Sequence, residues 1–408
     1  MRISTSSIYN ANVSLLNQQQ AQLLHTQQQI ATQRRILTPA DDPIASARAL
    51  EISQADATNS QYAINRNTVQ HSVSLAESIL QNVTGMMHHV RTIAVNAGNG
   101  GLNSSDKQTL ATDLSVRLEE LLSLSNSTDG TGNYLFSGFQ GRTQPFVNNS
   151  AGVQYQTDNG QRLIQVSSSR QLAASDSGAD IFMRVKNGNG TFIAQAETPN
   201  TGSGIVSSGA VTNPALLTGN NYQLTFSVAA GVTTYGVTNM TPGALVPVPV
   251  AAGSPYISGQ AISFDGLQFD ITGAPADGDT FTVAPSSNES IFQTISNLIT
   301  ALKTPNPQGG AAAAAAFTNS RNQALNNLDR GIDNVLTVRA SMGTRLRELA
   351  ALQSAGESLG VQYKQTLSQL KDVDFNKAIS DLTQQKTSLE AAQKSFLAVS
   401  GLSLFNYM

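Results

Sequence analysis

The sequence predicts a mainly α-helical protein with an inserted β-domain: a long coiled-coil-like helical rod built from both chain ends, plus an antiparallel β-module in the middle. Three observations predict it. Leu16, Leu23, Ile30 and Leu37 recur at every seventh position near the N-terminus. Phe375, Leu382, Leu389 and Phe396 do the same near the C-terminus. Each set draws a narrow apolar stripe on a polar helix, which is the seam of a coiled coil and not the wide face of a globular-core helix. Between them the period changes from helical to alternating. Matching helices at opposite ends of a chain are expected to meet, and both stripes together form the candidate assembly seam. Such a chain is built to assemble, not to catalyse.

The first helix is expected from about Ser7 to Leu37. About half of Gln18 to Gln33 is glutamine, yet the heptad leucines argue against a disordered tract, which has no reason to keep a period. Thr38-Pro39-Ala40-Asp41-Asp42-Pro43 breaks the helix, because proline disfavours helical backbone in the residue before it. Asp42 is expected to cap the next helix, with Pro43 at its first position. That helix should run from Ile44 to Ala97 with a seam of Val69, Val73, Ala76, Leu80, Val83, Met87, Val90 and Ala94. At ~1.5 Å per residue it extends roughly 80 Å. Gly98 to Gly101 stops it. A third helix is expected from Ser105 or Asp106, with Leu110, Leu114, Leu118 and Leu121 on one side. Tyr134 to Phe139 reads as a compact apolar loop.

From Thr143 to Pro285 the alternation of Tyr222, Leu224, Phe226 and Val228 with polar residues marks strands. Asp265-Gly266, between Ile262/Phe264 and Leu267/Phe269/Ile271, is a two-residue hairpin signal. Helix returns near Asn288, is interrupted at Pro305 and Pro307, and restarts at Ala311 to Ala316. The second rod helix carries Arg339 and Gln353 at seam positions, so register is specified there at some cost in stability. Asp374 is expected to cap a terminal helix reaching Val399. The resulting division is a terminal helical assembly domain (1–42 and 372–408), a helical rod domain (43–142 and 286–371) and a β-domain (143–285).

Composition narrows the function. Of 408 residues only 12% are charged and the net charge is −3, which leaves no electrostatic footprint for nucleic acid or an anionic membrane. Cysteine is absent, removing disulfides and thiolate chemistry. No apolar run reaches the roughly 18–20 residues that span a bilayer, and no apolar block follows Arg2 as a signal peptide requires. These features alone point to the cytoplasm. Catalytic, cofactor and metal sites are not expected. His88 and His89 project about 100° apart on a helix, and Asp41-Asp42 reads as a capped turn, not a carboxylate pair. Gly98 to Gly101 lacks the Lys-Ser/Thr of a phosphate loop.

Several motifs carry a family resemblance: Arg2-Ile3-Ser4, Thr38 to Pro43, Asn133-Tyr134-Leu135-Phe136-Ser137-Gly138, Phe281-Thr282-Val283, Asp372-Val373-Asp374-Phe375, and Leu402 to Tyr407. In these, across both flanks, the chain resembles flagellin-like axial proteins of the bacterial flagellum. Among them it is most similar to the hook–filament junction family, the third hook-associated proteins. Flagellin itself is the alternative, since the Asp-Asp-Pro break is common to both. The resemblance implies a structural adaptor that assembles as a ring of identical subunits between the first hook-associated protein and flagellin. It also implies passage through the flagellar type III export apparatus with an export chaperone and no cleaved signal, hence an extracellular location in place of the cytoplasmic one. The thin stripes further predict that the terminal segments are mostly disordered in the monomer and fold when neighbouring subunits bury the stripe.

Overall fold

The structure, a computed structural model, describes residues 5–241, 250–304 and 310–401. Arg2-Ile3-Ser4, Pro305 and Pro307, and Leu402 to Tyr407 lie outside the described residues. The helices are α1 (Thr5–Thr32), α2 (Pro43–Asn96), α3 (Ser104–Ser125), α4 (Ile291–Lys303), α5 (Gly310–Lys371) and α6 (Phe375–Gly401), with the β-structure between α3 and α4. The fold is therefore mainly α with a central antiparallel β-module. The chain forms two compact units, 1–66 with 350–408, and 67–349.

The first unit holds α1, α6 and the adjoining parts of α2 and α5. Here α1 stops earlier than the proline break predicts. Gln33 takes a left-handed φ of 59°, and its neighbours leave the helix to bond the chain near α6. Arg34 forms a β-bridge with Asp372. The Arg35 N–H donates to the Lys371 carbonyl at 2.7 Å, and the Val373 N–H to the Gln33 carbonyl at 3.2 Å. Leu37 consequently lies in the following turn and not on the helical stripe, a correction caused by this link. Two caps form as expected: the Asp42 carboxylate accepts the Ala45 N–H at 2.9 Å, and Asp374 accepts the Asn376 and Lys377 N–H groups at 3.0 and 3.2 Å. Gln353 is satisfied across the unit, its Oε1 accepting from Arg66 Nε at 2.8 Å.

The second unit contains the buried helical seam of α2. Val69, Val73, Ala76, Leu80, Val83, Met87, Val90 and Ala94 of α2 are all buried, as their 3–4 spacing predicts. Arg339 of α5 pairs with Glu77 of α2 at 2.7 Å, so the polar seam position is satisfied by a matching charge. Asn103 caps α3 through reciprocal bonds with Asp106, so the helix begins at Ser104, one residue before the expected Ser105. α3 packs on α4. Phe136, from the predicted apolar loop, is buried edge-on to Phe182, which also meets Phe146 and Phe292.

Fifteen strands are described. β1 (Phe146–Asn149) pairs with β2 (Gly152–Tyr155), and β3 (Leu163–Ser167) with β4 (Arg170–Ala173). The remaining strands are β5 (Val185–Lys186), β6 (Phe192–Ala196), β7 (Ile205–Val206), β8 (Ala210–Val211), β9 (Tyr222–Ala229), β10 (Val232–Asn239), β11 (Val250–Pro255), β12 (Ala261–Phe264), β13 (Leu267–Thr272), β14 (Thr280–Pro285) and β15 (Asn288–Glu289). A five-stranded antiparallel sheet has the order β11-β10-β9-β14-β6, and β12-β13-β7 forms a second, with β8 also on β13. Leu224, Phe226, Val237, Ile271 and Phe281 fill their common core. Asp265 and Gly266, with φ of 45° and 77°, make the predicted hairpin turn. Asn288 is a strand residue and not a helix start: β15 pairs with β5, and α4 begins at Ile291 under a Ser290 cap.

Candidate assembly interface

The two chain ends meet as an antiparallel helix pair. Tyr9 of α1 packs on Phe396 of α6, ring centroids 5.3 Å apart, while the Arg34–Asp372 bridge closes the opposite end. Between these points Asn12, Leu16, Gln19, Leu23, Thr26 and Ile30 of α1 are buried or half-buried. On α6 the corresponding positions are Ala378, Leu382, Gln385, Leu389, Ala392 and Phe396. Both sets step by four and three residues, the spacing that keeps one edge of a helix toward its partner. The register held at the two ends sets Leu16 opposite Leu389, Gln19 opposite Gln385, Leu23 opposite Leu382 and Thr26 opposite Ala378.

Six of the eight predicted seam residues share this edge: Leu16, Leu23, Ile30, Leu382, Leu389 and Phe396. Phe375, the first residue of α6, is 44% exposed, and Leu37 lies in the turn. The sequence reading missed the intervening positions because it looked for apolar residues. Asn12, Gln19, Thr26 and Gln385 are polar, and the signal that finds them is the 3–4 step itself. Only Thr26 and Ala378 fall in the buried class among the described residues of α1 and α6. The pair thus removes little side-chain surface from water, and the exposed Leu15, Leu24, Ile379 and Leu397 leave apolar surface outside it.

Below the pair, the turn at residues 34–42 is knotted by side chains. Arg35 donates from Nη1 to Asp42 at 3.1 Å and from Nη2 to the Leu370 carbonyl at 2.9 Å. Asp41 accepts the Leu37 and Thr38 N–H groups, both at 2.8 Å, and lies 3.1 Å from His25 Nε2. The Thr38 N–H, then the Leu37 N–H, and finally His25 hold the Asp41 carboxyl down at about 2. The Ala45 N–H, followed by Arg35, lowers Asp42 as well. Both carboxylates are acceptors in a capped turn, each committed to its own donors. No group of three or more metal-ligating side chains occurs among the described residues, and none of the described helices is long and apolar enough to cross a membrane.

Comparison with known proteins decides the family. Residues 3–141 match the bacterial flagellin N-terminal helical region, and residues 195–285 match the flagellar hook-associated protein 1 D2-like domain. Flagellar hook-associated protein 3 of Salmonella typhimurium is 31% identical over 411 residues, covering 99% of each chain. The Escherichia coli protein of the same name is 30% identical over 407 residues, again covering 99% of each.

The chain belongs to the flagellar hook-associated protein 3 family.

Membership makes it a structural component of the bacterial flagellum, and flagellin is not favoured. A hook-associated protein 3 from Legionella pneumophila has a solved structure that is 34% identical with a TM-score of 0.71, covering 78% of this chain and 98% of that one. FlgL of Xanthomonas campestris is 30% identical with a TM-score of 0.70, covering 78% and 99%. The D2-like match spans most of the strands from β6 to β14, so the inserted β-module is itself of a flagellar kind.

Proposed function

We propose that this protein is the adaptor that joins the flagellar hook to its filament, assembling as a ring of identical copies through α1 and α6. The observation that carries the reading is the full-length match to hook-associated protein 3. One side of the ring meets the first hook-associated protein and the other meets flagellin. Residues 1–42 and 372–408 serve as the assembly domain, 43–142 and 286–371 as the rod, and 143–285 as a solvent-facing β-domain. The half-polar α1–α6 seam supports this division of labour: a pair that buries so little is completed by neighbours, where the exposed Ile379 and Leu397 gain cover. The chain reaches this extracellular position unfolded, with an export chaperone and through the type III apparatus. No cofactor or catalytic step is needed.

A strain lacking the protein tests the role directly. It should keep its hooks, lose its filaments and release flagellin monomers into the medium, and restoring the gene should restore filaments. Attached filaments of normal length in the deletion strain would refute the adaptor role.

A further inference from the structure

Asparagine followed by glycine is a pair at which a chain can cyclise on itself. The glycine amide nitrogen attacks the asparagine Cγ, ammonia leaves, and water opens the resulting succinimide to aspartate or isoaspartate. Glycine favours the step because no Cβ restricts the backbone rotation that brings nitrogen to carbon. The nitrogen must also shed its proton to attack, so a glycine N–H held in a hydrogen bond is protected. Four such pairs occur in the sequence: Asn99-Gly100, Asn159-Gly160, Asn187-Gly188 and Asn189-Gly190.

The fold ties up three of them. The Gly160 N–H donates to the Asp158 carboxylate at 2.8 Å, and an anionic acceptor makes that proton harder to remove. The Gly188 N–H donates to Asn327 Oδ1 at 2.9 Å, and Asn187 is itself buried. The Gly190 N–H donates to the Asn187 carbonyl at 3.1 Å. Asn189 is further pinned by its leaving nitrogen, Nδ2, which donates to the Ser208 and Gly209 carbonyls. Asn99-Gly100 differs at each point. It lies exposed between α2 and α3, and the Gly100 N–H has no acceptor among the described residues. A Cβ added at Gly100 would meet nothing within 4 Å. The Gly101 N–H donates to Asn99 Oδ1 at 3.1 Å, which puts a donor where that oxygen gathers negative charge as the nitrogen adds.

We propose that Asn99 is a self-modification site, the Asn-Gly pair that this fold leaves open to succinimide formation and deamidation while it shields the other three. Each event replaces an amide by a carboxylate. The isoaspartyl product also inserts one extra carbon into the main chain between α2 and α3. The chemistry needs only water and the chain itself, so it is independent of the junction role.

The full-length protein is held in warm, mildly alkaline heavy-oxygen water, so that acid formed during incubation carries the label and acid formed during digestion does not. Peptide mapping by mass spectrometry then gives a rate for each pair. Asn99 should convert faster than Asn159, Asn187 or Asn189 by roughly fivefold or more, the worth of one net hydrogen bond. Unfolded in guanidinium chloride, the four rates should converge. Gly100→Ala places its methyl group in open space, so the fold is kept while the Asn99 rate should drop by roughly threefold or more. Asp158→Ala releases the Gly160 N–H and should speed Asn159 while leaving Asn99 unchanged. A folded-state rate at Asn99 no higher than at the other three would overturn the proposal. So would a ranking that persists in denaturant, an Asn99 rate indifferent to Gly100→Ala, or an Asn159 rate indifferent to Asp158→Ala.

Discussion

Replacing Leu23 with alanine isolates what the α1–α6 seam contributes. Leu23 is half-buried, opposite Leu382, in a layer flanked by the glutamines and by Thr26 with Ala378. A fully buried leucine loses about 2–5 kcal/mol on truncation. Leu23 shares its layer with solvent, and the helices can close over the deleted methyl groups, so about half of the lower and middle range applies, roughly 1–2 kcal/mol. That raises the opening equilibrium of the pair about five- to thirtyfold, at roughly 1.4 kcal/mol per tenfold. Native-state hydrogen exchange read by mass spectrometry on the full chain resolves the change by segment. Amides of 10–32 and 376–398 should exchange faster by that factor, while those of α3, packed on α4, keep their rates. Leu80→Ala, at a fully buried position of α2, should do the reverse and cost about 2–5 kcal/mol. If Leu23→Ala left α1 and α6 unchanged, or accelerated α3 equally, the seam would not be what holds the ends together.

The turn after α1 has its own pH signature. Asp41 titrates at about 2 in the fold against 3.8 ordinarily, so its contribution is complete above the ordinary value and is lost as pH falls through the folded one. The Leu37 and Thr38 amide resonances should therefore shift with a midpoint near the lower value, and a midpoint near 4 would contradict the bonding described. In the rod, the Arg339–Glu77 pair is about a quarter exposed, with side chains 22% and 29% accessible. Arg339→Met should cost about 1 kcal/mol in urea unfolding, and less once Glu77→Gln removes the unpaired charge. At the β12–β13 turn, Gly266 has φ of 77° and an added Cβ would lie 2.2 Å from the Asn213 carbonyl oxygen. Gly266→Val should destabilise the β-module by more than about 1 kcal/mol, seen as faster proteolysis within 205–285. Equal resistance to protease would refute the steric argument.

How far the sequence determined each feature depends on how local its cause is. The seam of α2 from Val69 to Ala94 was fully legible because every one of its positions is apolar and the period is written in one stretch of chain. The Asp265-Gly266 turn was legible because two residues impose its backbone geometry. The end of α1 was not: nothing at Gln33 breaks a helix locally, and the backbone bonds that stop it come from Lys371 and Val373. The same holds for Asn288, drawn into β15 by Val185 and Lys186, which no nearby pattern announces. The assembly seam falls between these cases. Its leucines show in the sequence as a seven-residue beat, but a beat repeated on both helices fits at more than one offset. What removes the ambiguity is contact at the two ends of the pair, the Arg34–Asp372 bridge and the Tyr9–Phe396 stack, whose partners lie hundreds of residues apart in the chain.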